Sequence, residues 1–269
     1  MASGGFRIYR SAIPGAQPVE SDSRRVFPRH THEEFGIGVI CRGAQRSLSG
    51  RGMVEAGAGD VITVNPGEVH DGAPIGDAGR AWRIIYLEPR LIAAAARDIA
   101  EGRPDDYEIH QPVIRDVALA RQLLNLFAVL ARPDATAASL HGEQLLLDLV
   151  HRTLHRRPES ARPSVPKGIS AAKDLIDSDA ARAVTLAELA RASGLSRFQV
   201  LRGFARATGL TPHAYLVQRR VGLARRLIAR GTRLSEAALA SGFADQSHMT
   251  RTFVRAYGVT PRAFADAVA

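Results

Sequence analysis

Hydrophobic and polar positions divide this chain of 269 residues into segments of different periodicity. Up to about residue 90, short apolar runs such as 35–40 and 82–87 alternate with glycine-rich turns. This spacing is typical of strands in a small antiparallel barrel or jelly roll. Between residues 91 and 157, apolar residues recur at helical spacing in two stripes, one starting at Val113 and one at Leu140. The pattern therefore predicts a barrel over 1–90 and an antiparallel helix pair over 91–157.

The most regular pattern is a repeat near the C-terminus. Residues 186–212 and 234–261 align with a shift of about 48 residues, which places Gly194 over Gly242. Each copy contains a short amphipathic run, a glycine turn and a second amphipathic run. In the first copy, Ser196 and Gln199 have the spacing of a capping box at the start of the second run. The repeat predicts two helix-turn-helix units, at 186–207 and 234–256.

Helical geometry separates a buried face from an exposed face in the second helix of each unit. Val200 and Phe204 form an apolar pair four residues apart, which we expect to be buried. The opposite face then presents Phe198, Leu201 and Arg202. Exposed apolar groups beside Arg suit a helix in the DNA major groove, where they meet thymine methyl groups while Arg pairs with guanine. The same geometry turns outward, in the second unit, Gln246, Ser247, Thr250 and Arg251. The alternative is a helical hairpin of an ordinary bundle.

The excess of positive over negative charge is confined to the segment that contains the repeat. Residues 167–269 hold 16 Lys and Arg and 7 Asp and Glu, a net charge of +9, whereas residues 1–166 hold 20 of each. A merely basic protein would spread this charge evenly. The distribution favours a nucleic-acid-binding domain attached to a neutral domain. The stretch 158–167, rich in Pro and Ser, predicts a linker before a DNA-binding domain at 168–269.

Cysteine usage and hydropathy indicate the compartment. Cys41 is the single cysteine, so no internal disulfide is possible and a reducing cytoplasm is expected. It ends an apolar run, and we expect its side chain to be buried. No apolar stretch approaches the length of a membrane span. A cytoplasmic location without membrane contact is therefore predicted.

The repeat closely resembles the DNA-binding domain of the AraC/XylS family of bacterial transcription regulators. The most specific matches are Gly242-Phe243, Asp245-Gln246-Ser247-His248, Arg251, Phe253 and Gly258-Val259-Thr260-Pro261. The resemblance implies a long connector helix that begins after Thr211 and ends near Gly231 and holds the two units rigidly. It also implies transcription activation through RNA polymerase, and it assigns base contacts to the two outward-facing sets.

Two fragments of the first ninety residues resemble the two cupin motifs: His30-Thr31-His32 and the stretch 59–70. Such barrels are the usual sensor domains in the AraC family, so a small-molecule effector is expected inside. The predicted pocket residues are His32, His70, Trp82 and Tyr86, although both aromatics also suit a plain core. No residue identifies the effector.

The histidines of these motifs also raise the possibility of a metal site. Strand alternation would place His30, His32 and Glu34 on one face, with His70 approaching from a neighbouring strand. The glutamate of the cupin motif is replaced here by Gly36 or Ile37. Histidines that form hydrogen bonds within the barrel or line an organic pocket are the alternative. We therefore predict no metal and no cofactor.

Together these patterns predict an α+β protein of two domains. The first, 1–157, is a cupin-like β-barrel with a helical pair; the second is all-α, with two helix-turn-helix units joined by a connector helix. We predict a sequence-specific DNA-binding transcription regulator, not an enzyme, that binds double-stranded DNA and a small-molecule effector. Surplus leucine in 91–157 predicts a homodimer, unless the monomer core uses both stripes. The alternatives are a metal-dependent cupin enzyme with an attached DNA-binding module and a constitutive regulator without a ligand.

Overall fold

The computed structural model describes residues 5–99, 107–132, 140–156 and 165–268. The chain forms two compact units, Met1–Ala161 and Arg162–Ala269. Residues 158–164 of the predicted linker lie outside the described residues, and Lys167 already begins a helix of the second unit. No helix in the described ranges is both long enough and apolar enough to cross a membrane.

The strands of the first unit form two antiparallel sheets and a two-stranded ribbon. Their bounds are β1 Phe6–Ile8, β2 Ala16–Ser23, β3 Phe27–His30, β4 Phe35–Arg42, β5 Ala44–Ser49, β6 Gly52–Gly57, β7 Val61–Val64, β8 His70–Pro74, β9 Arg80–Leu87, β10 Tyr107–Glu108, β11 Val113–Ile114 and β12 His155–Arg156. One sheet has the order β1-β2-β9-β4-β7-β11, the other has the order β3-β8-β5-β6, and β10 pairs with β12.

The six-stranded sheet buries apolar side chains on both faces. Successive side chains of a strand point to opposite sides of the sheet. The helices of this unit are α1 Pro89–Ile99, α2 Val117–Leu130 and α3 Leu140–Thr153. On β9, Ile85 and Leu87 are buried in a cluster with these helices. Trp82 and Ile84, on the other face, are buried with Phe27 of the second sheet. The helices therefore cover one face of the sheet, and the second sheet covers the other.

Segment 91–157 is less helical than its periodicity predicted. Val113, placed by the apolar pattern at the start of a helical stripe, instead pairs with Ile62 in β11. The helix begins later, because the Asp116 side chain accepts a hydrogen bond from the backbone N–H of Leu119 and caps α2. The predicted barrel limit at residue 90 is therefore wrong, since β11 lies beyond it and pairs with β7 of the six-stranded sheet. Residues 133–139 of the connection between α2 and α3 lie outside the described residues.

The prediction that Cys41 is buried is wrong, because its side chain is exposed. Along β4, Ile37 and Val39 belong to the cluster that the helices cover, and this cluster stops at Val39. The pairing of β4 with β9 also shifts register between Ile40 and Arg42. Cys41 thus lies at an irregularity beyond the covered part of the strand.

The second unit is helical throughout its regular elements. These are α4 Lys167–Ser178, α5 Leu186–Ser193, α6 Arg197–Thr208, α7 Pro212–Ala229, α8 Leu234–Ala240, α9 Gln246–Tyr257 and α10 Pro261–Val268. The predicted capping box of Ser196 and Gln199 starts α6. Thr211 caps α7 with Pro212 in its first turn, and Gly231 adopts φ +84° just past its end. Helices α5–α6 and α8–α9 are the two helix-turn-helix pairs, with α7 between them.

Helix α7 is attached to the first pair by specific polar contacts. The Tyr215 hydroxyl donates a hydrogen bond to Asp177 of α4, and Arg219 Nε lies 2.8 Å from Asp177 Oδ1. Arg220 donates to the backbone carbonyls of Ala180 and Arg182. These contacts fix the connector helix against the α4–α5 segment.

The turns of the two pairs differ in how closely they are packed. Gly194 and Gly242 both adopt positive φ, +67° and +81°. A Cβ added at Gly194 would meet nothing within 4 Å, whereas one at Gly242 would lie 2.4 Å from the backbone oxygen of Ala181. At position 194 glycine is therefore required only by the positive φ angle. At position 242 it is also required by the close approach of the Ala181 backbone.

The pair Gly194→Ala and Gly242→Ala separates these two requirements. We expect Gly194→Ala to lower the free energy of unfolding by about 1 kcal/mol, the cost of a left-handed alanine. Gly242→Ala should cost about 1–3 kcal/mol more, because the added methyl group overpacks the contact with Ala181. Native-state hydrogen exchange measures the loss in α5 and α6 for Gly194→Ala and in α8 and α9 for Gly242→Ala. Equal losses in the two variants would contradict the steric argument.

Candidate functional site

The first candidate surface lies on α6. Val200 and Phe204 are fully buried, and Phe204 packs edge-on against the Tyr215 ring. Phe198 is 65% exposed and Leu201 is 40% exposed. The Arg202 guanidinium lies 5.6 Å from the centre of the Phe198 ring, so the two side chains share the exposed face. The orientation of this helix agrees with the one expected from its periodicity.

Helix α9 repeats the arrangement with a more polar surface. Met249 and Phe253 are fully buried. The predicted outward set is placed as follows: Gln246, Ser247 and Arg251 are exposed and Thr250 is half-buried. The Asp245 side chain caps the helix by accepting a hydrogen bond from the His248 backbone N–H at 2.6 Å. The exposed His248 side chain, absent from the predicted set, packs edge-on against Phe243.

The arginines of these two helices are unpaired within the described part of the chain. None forms an ion pair with a described residue; they are Arg197, Arg202, Arg206, Arg251 and Arg255. By contrast, Arg219 is paired with Asp177, and Arg262 of α10 is paired with Asp266. Positive charge on α6 and α9 is therefore available to an anionic partner.

A cluster of histidines occupies the second candidate site, in the barrel. His30 ends β3, His32 lies in the following loop and His70 begins β8. One ligand nitrogen from each of the three lies within 4.8 Å of the others. The expectation that His30, His32 and Glu34 share one continuous strand is wrong, because the strand ends at His30. Glu34 is buried but does not belong to this group.

Two of these histidines are held by the backbone. His30 Nδ1 lies 2.7 Å from the Pro28 carbonyl oxygen, and His70 Nδ1 lies 3.1 Å from that of Glu68. A carbonyl accepts only, so each Nδ1 carries a proton and Nε2 of the neutral ring keeps its lone pair. Burial lowers the pKa of His30 to about 3 and that of His70 to about 4. Both rings are therefore neutral at pH 7.

The four predicted pocket residues do not all meet. The Tyr86 ring lies 5.0 Å from the His32 ring, and burial raises the Tyr86 pKa to about 12. The centre of the His70 ring also lies 5.0 Å from the centre of the His32 ring. Trp82 instead contacts Phe6, Phe27 and the guanidinium of Arg80. The structure thus brings His32, His70 and Tyr86 together and places Trp82 in a neighbouring aromatic cluster.

Arg80 is a buried charge that the sequence reasoning missed. Its Nε donates to Gln45 Oε1 at 2.9 Å, and its Nη1 donates to the Arg25 carbonyl oxygen at 3.2 Å. Burial lowers its pKa to about 10, so it remains charged at pH 7. In sequence it precedes the apolar run 81–87, where an arginine is typical of an exposed strand end. No local signal distinguishes it from such a residue.

Comparison with known proteins identifies both units. A family model described as an AraC-like ligand binding domain matches residues 19–150, and a helix-turn-helix domain model matches residues 189–267. The HTH-type transcriptional regulator YbfI of Bacillus subtilis (strain 168) is 30% identical over 228 residues, which cover 83% of this chain and 81% of that protein. The chain belongs to the AraC/XylS family of transcription regulators. It combines a ligand-binding N-terminal domain with a DNA-binding helix-turn-helix domain.

Two further proteins are similar to this chain. VirF of Yersinia enterocolitica, a virulence regulon transcriptional activator, is 28% identical over 159 residues, 53% of this chain and 54% of that protein. ToxT of Vibrio cholerae strain SCE256, solved with a bound unsaturated fatty acid, superposes with a TM-score of 0.56 at 13% identity. That superposition covers 98% of this chain and 95% of ToxT. The predicted family, the fold class and the function as a DNA-binding transcription regulator are confirmed.

The orientation of α6 generates a stability test. Phe204→Ala should lower the free energy of unfolding by about 3–5 kcal/mol, because it empties a fully buried site. Phe198→Ala should change it by less than about 0.5 kcal/mol, because that ring is mostly exposed. Hydrogen exchange of the α6 amides in both variants measures the difference. A large loss in Phe198→Ala would contradict the exposed position of this side chain.

Proposed function

We propose that this regulator activates transcription by inserting α6 and α9 into the major groove of an operator, under the control of a small molecule bound in its barrel. The observation that carries the proposal is the pair of exposed helix faces with unpaired arginines on one compact, positively charged unit. Counterion release by such arginines supplies affinity for any DNA sequence. Sequence preference then comes from the outward side chains of α6 and α9 that reach the base edges.

The two helices are proposed to read bases in different ways. Phe198 and Leu201 offer only apolar contacts, which suit thymine methyl groups, whereas Arg202 pairs with guanine. On α9 the proposed base-reading set can form hydrogen bonds throughout; its members are Gln246, Ser247, Thr250 and Arg251. We assign phosphate contacts to Arg206 and Arg255, which lie near the C-terminal ends of their helices.

Two recognition helices held by one connector suit two consecutive turns of the major groove. Half-sites on one side of B-form DNA lie about 34 Å apart. A protein that holds its helices at another spacing must bend the DNA. We therefore propose one operator with two short blocks of conserved bases, both read by the same chain.

The activating role is supported by VirF, whose name records activation, and implies contact with RNA polymerase at the promoter. We place this activity in the cytoplasm and assign no catalytic residue. For the effector, the ligand of ToxT supports a small molecule held in the barrel. We propose that His32, His70 and Tyr86 contact it, with Trp82 at the margin. Such control requires that the effector bind two states of the protein with unequal affinity.

A homodimer through the helical face is also proposed. The monomer core already buries most of both apolar stripes, including Leu123, Leu126 and Leu149. Val117 and Leu140 remain largely exposed at the starts of α2 and α3 and are available to a second subunit. Sedimentation analysis of the full-length protein measures this association.

Selection of bound duplexes from random DNA tests the central proposal. With full-length protein at two salt concentrations, we expect enrichment of two short blocks whose centres lie about one helical turn apart. Affinity should fall as salt rises, because arginines displace counterions from phosphates. Steeply salt-dependent binding without any enriched sequence would reject paired base readout.

Arg251→Ala tests the assignment of an individual base contact. We expect a loss of about 1–3 kcal/mol on the selected operator and a relaxed preference at one base position. Random DNA should lose much less affinity. Arg262→Ala is the matched control, because this exposed arginine of α10 is paired with Asp266 and lies outside the proposed surface. Equal losses on operator and random DNA would show that Arg251 contacts phosphate instead.

A further inference from the structure

The three histidines of the barrel form an arrangement that DNA binding and apolar packing do not account for. Buried polar side chains cost free energy unless they are satisfied, so a barrel core of apolar residues would be simpler to fold. Instead, the rings of His30, His32 and His70 lie mutually in contact, with centres 4.3–5.0 Å apart. They come from two strand ends and the loop between β3 and β4, which the fold brings to one point.

We propose that His30, His32 and His70 bind one divalent transition-metal ion. Their ligand nitrogens all lie within 4.8 Å of one another. Nitrogens bound to a tetrahedral ion at about 2.0–2.1 Å lie about 3.4 Å apart. The proposal requires the rings to rotate so that these nitrogens come closer together.

The hydrogen bonds of two rings support the same assignment. In metal sites, the nitrogen that does not bind the ion usually donates to a backbone carbonyl or a carboxylate, which fixes the orientation of the ring. His30 and His70 show this pattern through the carbonyls of Pro28 and Glu68. Nε2 is therefore the ligand atom of both residues.

The donor set selects the class of ion. The group contains three imidazoles and no carboxylate. Imidazole nitrogen suits Zn²⁺, Co²⁺, Ni²⁺ and Cu²⁺, whereas Mg²⁺ and Ca²⁺ require oxygen ligands. Three protein ligands also leave at least one coordination position for water or another small ligand. The proposed ion therefore keeps a coordination position that the protein does not fill.

Metal uptake by the purified protein tests the proposal without DNA, so its outcome does not depend on operator binding. Full-length protein without an affinity tag is stripped with a chelator and then dialysed against Zn²⁺, Co²⁺ or Mg²⁺. We expect one Zn²⁺ or Co²⁺ per chain and no retained Mg²⁺. At about 100-fold excess of Zn²⁺ over its Kd, the melting temperature should rise by about 5 °C or more. Absence of retained Zn²⁺ and Co²⁺ from the wild-type protein would overturn the proposal.

Histidine variants locate the ion. His30→Ala and His70→Ala should each weaken Zn²⁺ affinity at least tenfold and abolish the thermal shift. His110→Ala and His155→Ala are the matched controls, because these two rings also lie close together, 4.9 Å apart, but outside the cluster. Equal uptake by His70→Ala and wild type, or loss of uptake in the controls alone, would overturn the assignment. Should either cluster variant fail to fold, the visible spectrum of Co²⁺ bound to the wild-type protein tests the assignment. We expect a spectrum typical of nitrogen ligands, and a spectrum of oxygen ligands alone would overturn the assignment.

Discussion

The close backbone approach of Gly242 to Ala181 is the constraint on which the DNA-binding unit depends. It places the turn of the second helix-turn-helix pair directly on the α4–α5 connection of the first. Arg220 of α7 lies at the same point, because its Nε would be 2.9 Å from a Cβ at Gly242 and donates to the Ala180 carbonyl. The two pairs and the connector helix thus meet in one packed junction. Since close-packed junctions resist small displacements, this junction limits changes in the relative orientation of α6 and α9.

The barrel uses glycine for a related purpose. A Cβ on Gly38 would lie 2.8 Å from the Arg83 carbonyl oxygen, and one on Gly36 would lie 3.2 Å from the Ile84 side chain. These glycines let β4 and β9 approach while the larger side chains of β9 fill the interior. The same sheet is buried on its other face by α1, α2 and α3. Residues 1–166 carry no net charge, so the excess of positive charge lies in residues 167–269.

The sequence predicted the helical unit more fully than the barrel because its signals are local. Capping residues such as Ser196 and Thr211 mark helix starts within four residues of themselves, and the repeat supplied a second reading of the same pattern. The position of Val113 in β11 depends on pairing with Ile62, about fifty residues away, which periodicity cannot reveal. The close approach at Gly242 and the burial of Arg80 likewise depend on residues distant in sequence. Long-range contacts, not propensities, account for these gaps.

The histidine cluster shows how such a gap changes chemistry. A continuous strand would have given a mixed nitrogen and oxygen set that included Glu34, whereas the end of β3 at His30 gives three nitrogens alone. These residues join the end of β3, the next loop and the start of β8, where the pairing register is irregular. A ligand held by all three histidines would therefore join these segments. Effector control requires unequal affinity for two states of the protein, and a ligand that contacts all three residues gains its full affinity only where these segments lie together.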